Sequence, residues 1–286
     1  MNLVLCPEGR RELFERAVVL SRLDREEAVR LAGKLASQLR EQKVKVEYEA
    51  GLAGRLGIKG GVDPSKVEAD LAVIVGGDGT IIRAVHRLRR SIPLFTVSMG
   101  RVGFLAEATP GEASAFLSEV LRGNYVEDRQ FMVEADVRGI PPALNELKIG
   151  SGSSRMVELS VYVDGFRLGK DKVDGVLVST PSGASAYAFS VGGSLVDPRL
   201  EALIIAPIYP LSTNFKPFIT PSTVEVTVKP ESETPLLVVA DGLKARRLQP
   251  PRPVKVKRSR RHVVFLRRGF TFYERVKRRL SVTCLT

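Results

Sequence analysis

The chain has 286 residues, 44% of them hydrophobic, with two cysteines, two histidines and a formal net charge of +12. That length holds one large domain or two ordinary ones, and the apolar fraction is that of a globular protein. Cys6 and Cys284 are too few for a disulfide framework or a cysteine metal site, and His86 and His262 are too few for a histidine site.

No apolar stretch approaches the roughly 18 residues of a membrane span. The N-terminal apolar run is too short for a signal peptide and turns charged at once. A soluble cytoplasmic protein is expected. Asn2 to Leu5 reads as a first buried strand. From Arg25, Ala28, Leu31, Leu35 and Leu39 recur at helical spacing and predict an amphipathic helix ending before Lys45. VKVEYE then alternates as a strand. ADLAVIVGG is a near-continuous apolar run, the pattern of a parallel strand covered on both faces. GTIIRAVHRLRR follows with a helical period, and IPLFTVSMG reads as another buried strand. Thr109-Pro110-Gly111-Glu112 carries a threonine cap, a first-position proline and a glutamate three residues after the cap, predicting a helix to about Arg122. Strands alternating with helices argue for a doubly wound, Rossmann-like α/β layer.

After Gly123 the texture changes. MVELSVYVDG, DGVLVST, LEALIIAP, STVEVTVKP, PLLVVADG and PVKVKRSRRHVVFLRR are short β-rich runs split by Gly, Pro and Asp turns. Helical period is almost absent until FYERVKRRL. The expected organisation is an α/β domain over 1–123, a β-rich domain over 124–269 and a helix at 270–286 returning to the first. Lys244 to Arg279 carries 15 Lys and Arg against one acid, Glu274, which leaves −2 for the rest of the chain. Such a segment reads either as a solvated face of a heat-adapted protein or as the seat of an anionic partner. In the second case Arg258, Arg260, Arg261, Arg267 and Arg268 would face phosphates.

A strand that ends in glycines and leads into a helix suits a phosphate, because the backbone can be approached closely and N–H groups at the helix start favour anions. GGDGT at 76–80 is such a loop, although a tight turn with a helix cap would also use these residues. Neither GxxxxGK[ST] nor GxGxxG is present. A carboxylate among phosphate-binding amides repels the ligand. It makes sense if Asp78 takes a proton from an attacking hydroxyl beside the phosphate.

VIVGGDGTIIRA, PLFTVSMGRVGFLAEA, ALNELKIG, VDGVLVSTPSGASAYAFSVGGSLVDP and IIAPIYPLSTNFKP follow one another between about 70 and 245. In that order they resemble the NAD kinases (ATP/polyphosphate-NAD kinases), in an archaeal or thermophile-like form. GGDGT alone is shared with diacylglycerol kinases, sphingosine kinases and phosphofructokinases; Asn-Glu joined to the STPSG turn is far more specific. The resemblance implies that ATP or polyphosphate phosphorylates the adenosine-ribose 2′-hydroxyl of NAD, or of NADH, to give NADP. It implies Asp78 as the general base, Gly79 against the dinucleotide, Gly76 and Gly77 leaving room for phosphate, Thr80 helping to cap the helix and Arg83 aimed at phosphate. Asn145 and Glu146 would contact adenosine and ribose. Lys172 and Asp174 match the pair ahead of the STPSG turn, and Ser182, Ser185, Ala186, Tyr187 and Ser190 would line the dinucleotide. It also implies Mg²⁺, or another divalent cation, with the phosphoryl donor, and a homodimer or homotetramer. Three family positions differ: Ser98 stands for asparagine, Ala184 removes a hydroxyl, and Leu211 stands for histidine.

Two other classes stay open on the residues alone. A lipid kinase would share the glycine loop but has no use for the Asn-Glu pair. A nucleic-acid binder would work through the basic segment, where Phe265, Phe270, Phe272 and Tyr273 are the few aromatics available for stacking.

Overall fold

The computed structural model describes residues 3–5, 14–100, 103–212, 214–269 and 271–283; Asn2, Cys6, Phe270 and Cys284, considered above, lie outside them. The chain divides into two compact units, Met1–Arg129 with Val263–Thr286, and Gln130–His262. In chain order the first holds β1 (Leu3–Leu5), β2 (Arg16–Ser21), α1 (Glu26–Glu41), β3 (Lys45–Tyr48), α2 (Ala50–Arg55), β4 (Leu71–Val75), α3 (Asp78–Arg87), β5 (Leu94–Val97) and α4 (Ala113–Leu121). β6 (Val126–Ala135) leads into the second unit. There follow β7 (Glu146–Ser151), β8 (Val157–Val163), β9 (Phe166–Val173), β10 (Gly175–Ser179), a 3₁₀ turn at Gly183–Ser185 and α5 (Tyr187–Ser190). β11 (Ala202–Ile208), β12 (Phe218–Pro221), β13 (Val226–Pro230), β14 (Leu236–Ala240) and β15 (Lys244–Leu248) complete it. β16 (Val254–Arg267) carries the chain back, and α6 (Phe272–Thr283) ends the described chain.

In the first unit β3, β2, β4 and β5 lie side by side and parallel, and Phe265 of β16 pairs with Leu94 of β5, also parallel. β4 is buried along its whole length because helices cover both faces. α1 buries Ala28, Val29, Ala32, Leu35, Ala36 and Leu39, the stripe that its spacing predicts. From β2 the chain crosses through α1 to β3 on one side, and it then returns to β4 on the other side of β2. In such open sheets the strand ends at this reversal point are where ligands bind.

The second unit is all but entirely antiparallel. One sheet runs β12-β11-β10-β7-β14-β15, and β13 pairs with β8, which pairs with β9. Alternate residues of the first sheet face two different cores. Leu147, Ile149, Val176, Val178 and Val238 pack with Leu159, Val161, Val226 and Val256, while Leu177, Ile204 and Ala206 pack with Ala184, Ala188 and Val196. Coverage on both faces explains the unbroken apolar runs VLV and LIIA.

The α/β layer, the β-rich part and the return of the tail follow the sequence pattern. β2 does not: RAVVLS is a central strand for which no strand was expected. Gly183–Ser185 and Tyr187–Ser190 are helical turns inside a region expected to lack them. α4 starts only at Ala113. The Glu112 carboxylate accepts both the N–H and the hydroxyl of Thr109, at 2.9 and 2.5 Å, so half of the capping box forms while the threonine oxygen caps no helix amide.

Candidate active site

The loop after β4 is fixed by sheet geometry. The Gly76 N–H donates to Val97 O at 2.8 Å, continuing the β4–β5 ladder one residue past the strand. Gly77 is the N-cap of α3, with no side-chain cap, and Thr80 and Ile81 donate their N–H groups to its carbonyl. A Cβ on Gly77 would meet open space, whereas one on Gly76 would run into Thr80. Contrary to the expectation that Thr80 helps cap the helix, its hydroxyl makes no cap bond and instead accepts a hydrogen bond from Arg83 Nη2 at 3.3 Å.

Asp78 sits in the first turn of α3 and spans to a different loop. Its Oδ2 accepts the Phe104 N–H at 2.9 Å and its Oδ1 the Leu105 N–H at 3.2 Å. Gly103 lies so close to this carboxylate that any Cβ there would overlap it. Position 103 must therefore be glycine for the loop to close over Asp78. A carboxylate offers about four acceptor sites, so two amides leave each oxygen a lone pair.

Beside this turn a cavity of about 330 Å³ is lined by Ser21, Arg22, Thr80, Arg83, Arg87 and Glu49, among others. It lies at the carboxyl end of β2, next to the loop that follows β4. Arg87 is ion-paired with Glu49, and Arg22 with Asp24 at 2.6 Å, so these cations are partly neutralised. Arg83 is exposed and its one described bond is to the Thr80 hydroxyl.

The second unit builds its part around the start of β7. Asp241, left-handed at φ 48°, accepts the N–H groups of Leu144, Asn145 and Glu146 at 2.8, 2.8 and 3.0 Å, and donates its own N–H to Glu146 O. Asn145 and Glu146 are thus held by one turn residue. From the other side Thr180 N–H and Ser179 Oγ donate to Asn145 O, and Ser182 Oγ reaches Asn145 Oδ1 at 3.4 Å. Gly183 leaves no room for a Cβ against the Asn145 carbonyl. Both residues of the pair are buried. Glu146 Oε2 has no hydrogen-bond partner. Burial first, and Asp241 next, push the Glu146 carboxyl up to about 8.

Burial first, and then Tyr209, Asp174 and Glu146 within electrostatic reach, raise the Tyr187 phenol above the usual range. The sequence-predicted Asn145, Glu146, Asp174, Ser182 and Tyr187 are therefore neighbours, and Ser185 joins them through its bond to Ser182 O at 3.2 Å. Ala186 links the 3₁₀ turn to α5. Ser190, at the exposed end of α5, and Lys172, exposed on β9, make no side-chain bond to the cluster. Ala184 packs in the apolar cluster. Gly103, Ser179, Thr180 and Asp241 are not singled out by the sequence reading. For Asp241 the Asp-Gly dipeptide at 241–242 is the signal available.

Three of the five arginines singled out in the basic segment are paired with acids of their own units. Arg258 pairs with Glu201 at 2.9 Å and lies over the Phe131 ring, Arg267 pairs with Glu107 and Asp128, and Arg268 with Glu112 and Glu119. Arg267 is buried. Among the described residues no group of three His, Cys, Asp or Glu could hold a metal ion.

Residues 17–125 match the family model described as the ATP-NAD kinase N-terminal domain, and residues 144–268 the ATP-NAD kinase C-terminal domain. An NAD kinase of Methanoculleus marisnigri is 35% identical over 266 residues, covering 92% of this chain and 98% of the relative. An NAD kinase of Thermococcus gammatolerans is 36% identical over 271 residues, with the same coverage. Among solved structures, an NAD kinase from Archaeoglobus fulgidus in complex with ATP superposes with a TM-score of 0.76 at 28% identity, covering 91% of this chain and 96% of that one. The yeast NADH kinase complexed with NADH shares the fold, with a TM-score of 0.82 at 22% identity, covering 92% of this chain and 86% of that one.

Proposed function

The chain belongs to the NAD kinase family, and on that premise we propose how its residues divide the phosphorylation of NAD to NADP by ATP. The second unit holds the acceptor. Asn145 and Glu146 take the adenosine end, with the ribose hydroxyls donating to the carboxylate, and Ser182, Ser185, Ala186 and Tyr187 line the dinucleotide. Lys172, Asp174 and Ser190 flank it. The observation that carries this reading is the buried Glu146 Oε2 without a partner, next to an asparagine pinned by Ser182. A buried acceptor left unpaired costs roughly 1–3 kcal/mol, a cost that a bound hydroxyl removes.

The first unit supplies the base and receives the donor. Asp78 takes the proton of the 2′-hydroxyl as that oxygen attacks the γ-phosphorus; the new O–P bond forms, the bond to the β,γ-bridging oxygen breaks, and ADP leaves. The cavity beside Thr80 and Arg83 lies where a parallel sheet offers its strand ends to phosphates, and Gly76, Gly77 and Gly79 keep the backbone there open to them. A divalent cation would travel with the triphosphate and be held chiefly by phosphate oxygens and water.

A coupled assay for NADP, crossing NAD and NADH with ATP and polyphosphate, tests the reading. Turnover of NAD with ATP is expected. ADP release only with a lipid acceptor would sink it. The same matrix decides whether polyphosphate and NADH serve. We take the assembly to be a homodimer or homotetramer, which light scattering on the purified chain would read directly. Among the described residues no helix is long and apolar enough to cross a membrane, in keeping with the cytoplasmic location we propose.

A further inference from the structure

The C-terminal tail reaches Asp78 through a single peptide group. The Leu105 N–H donates to Asp78 Oδ1, and the carbonyl on the other side of that planar peptide, Phe104 O, accepts Arg275 Nη1 at 2.5 Å. The next carbonyl, Leu105 O, accepts Arg267 Nη1 at 2.8 Å and the Thr96 hydroxyl at 3.2 Å. Both guanidiniums are buried, and both bond to Glu107, itself buried. Arg275 Nε is steadied by Thr271 Oγ1 at 3.0 Å, Arg267 Nε by Asp128 at 3.2 Å, and the Phe104 ring lies 6.2 Å from that of Phe272.

We propose that Arg275, with Arg267 beside it, is a positioning residue for Asp78, acting through the Phe104–Leu105 peptide. A peptide unit is planar, so fixing its carbonyl fixes the direction of the opposite N–H. A cation on the carbonyl polarises the group and strengthens the bond that its N–H makes to a carboxylate, the more so where water is excluded. Two neighbouring amides hold Asp78, and each of the two carbonyls that follow them is gripped by one arginine. Asp78 is in turn near enough to help sustain the charge of Arg275, whose pKa burial and Arg267 push down to about 10 while Glu107 and Asp78 oppose the fall. The ion network thus has a task that packing alone does not require: two arginines, held by Glu107 and Asp128, grip Phe104 O, whose peptide donates to Asp78, and Leu105 O, the carbonyl that follows it.

The inference rests on Asp78 acting as the base, and a double-mutant cycle separates the two claims. kcat and both KM values are measured for the wild type, Asp78→Asn, Arg275→Lys and the double variant. Lysine keeps the charge that Glu107 needs but loses the fork that reaches Phe104 O and Thr271 together. A base displaced by a fraction of an ångström costs on the order of ten- to a hundredfold in kcat. That loss is expected for Arg275→Lys, with KM for NAD and ATP within about twofold and no further loss when Asp78 is already asparagine. Losses that multiply in the double variant, or a change confined to KM, would overturn the positioning role while leaving the base intact. Asp78→Asn at near wild-type kcat would overturn both. Thr271→Val, which removes only the hydroxyl under the guanidinium, is taken through the same cycle and decides the question if Arg275→Lys melts below the assay temperature.

Discussion

Asp78 and Glu146 are the carboxylates to which we assign the central roles in the two units, and their surroundings are opposite. Both oxygens of Asp78 accept backbone N–H groups from one loop. Glu146 is buried with one oxygen unpartnered, close to a second carboxylate, Asp241, that has already taken the three nearest amides. The first is aimed before any substrate arrives. The second lacks a donor until something brings one. Where a fold satisfies a carboxylate with peptide groups it fixes a direction; where it buries a carboxylate unsatisfied it leaves an acceptor open, the one we assign to a ribose hydroxyl.

The sharpest way to break this contrast is to change the aimed carboxylate. Asp78→Asn keeps the shape and one acceptor oxygen but cannot take a proton, so kcat should fall by about 10²–10⁴ with nucleotide binding retained. Activity within a few-fold of wild type would reduce Asp78 to a loop clasp. The ligand-awaiting carboxylate should behave differently. Measured above pH 8, where its carboxyl is ionised, Glu146→Ala is expected to raise KM for NAD by about ten- to a hundredfold, from roughly 1.5–3 kcal/mol of lost charged hydrogen bonding, with KM for ATP hardly moved. Equal weakening of both substrates would show damage to the fold instead.

Glu146 also gives the contrast a pH signature. Its folded pKa lies near 8 and its ordinary value at 4.5, so between them the folded chain keeps a proton that the unfolded chain has released. Stability should therefore fall as pH rises across that window and level off above it. Melting temperatures followed across the window, for wild type and Glu146→Gln, check this: the glutamine variant should lose that slope. KM for NAD should drop as pH climbs through about 8, because the ionised carboxylate is the better acceptor. The smallest effect concerns Arg258, half-exposed and paired with Glu201. Arg258→Gln should cost under about 1 kcal/mol and leave KM for ATP and polyphosphate unchanged at low and high salt. A raised KM for polyphosphate would restore the basic segment to a donor role.

What the sequence made legible were features whose cause is local. β4 with its glycine loop and α3 read clearly because an apolar run, a turn and a helical period abut. The Asn145–Glu146 pair was found through its motif, but neither its burial nor its dependence on Asp241 is visible without the fold, since β14 delivers Asp241 to it from nearly a hundred positions away. β9 was invisible for a different reason. It is largely exposed, so FRLGKDKV has no apolar face to betray it. The arginines of the tail could be counted but not paired: a run of like charge looks solvated until Glu107, Asp128 and Glu201 are brought to it.

β16 has a consequence for the order in which the molecule is made. Val254 and Val256 belong to the core of the second unit, while Phe265 closes the open edge of β5 in the first. A nascent chain folds from its N-terminus as it emerges. Residues 16–129 therefore leave the ribosome with β5 unpaired on one side, and they wait for the whole second unit to be synthesised before residues 263–283 arrive. An exposed strand edge held open that long invites pairing with another chain. The same arrival delivers Arg267 and Arg275 to the carbonyls behind the loop that holds Asp78, so in a nascent chain that loop is clamped only at the last step of assembly.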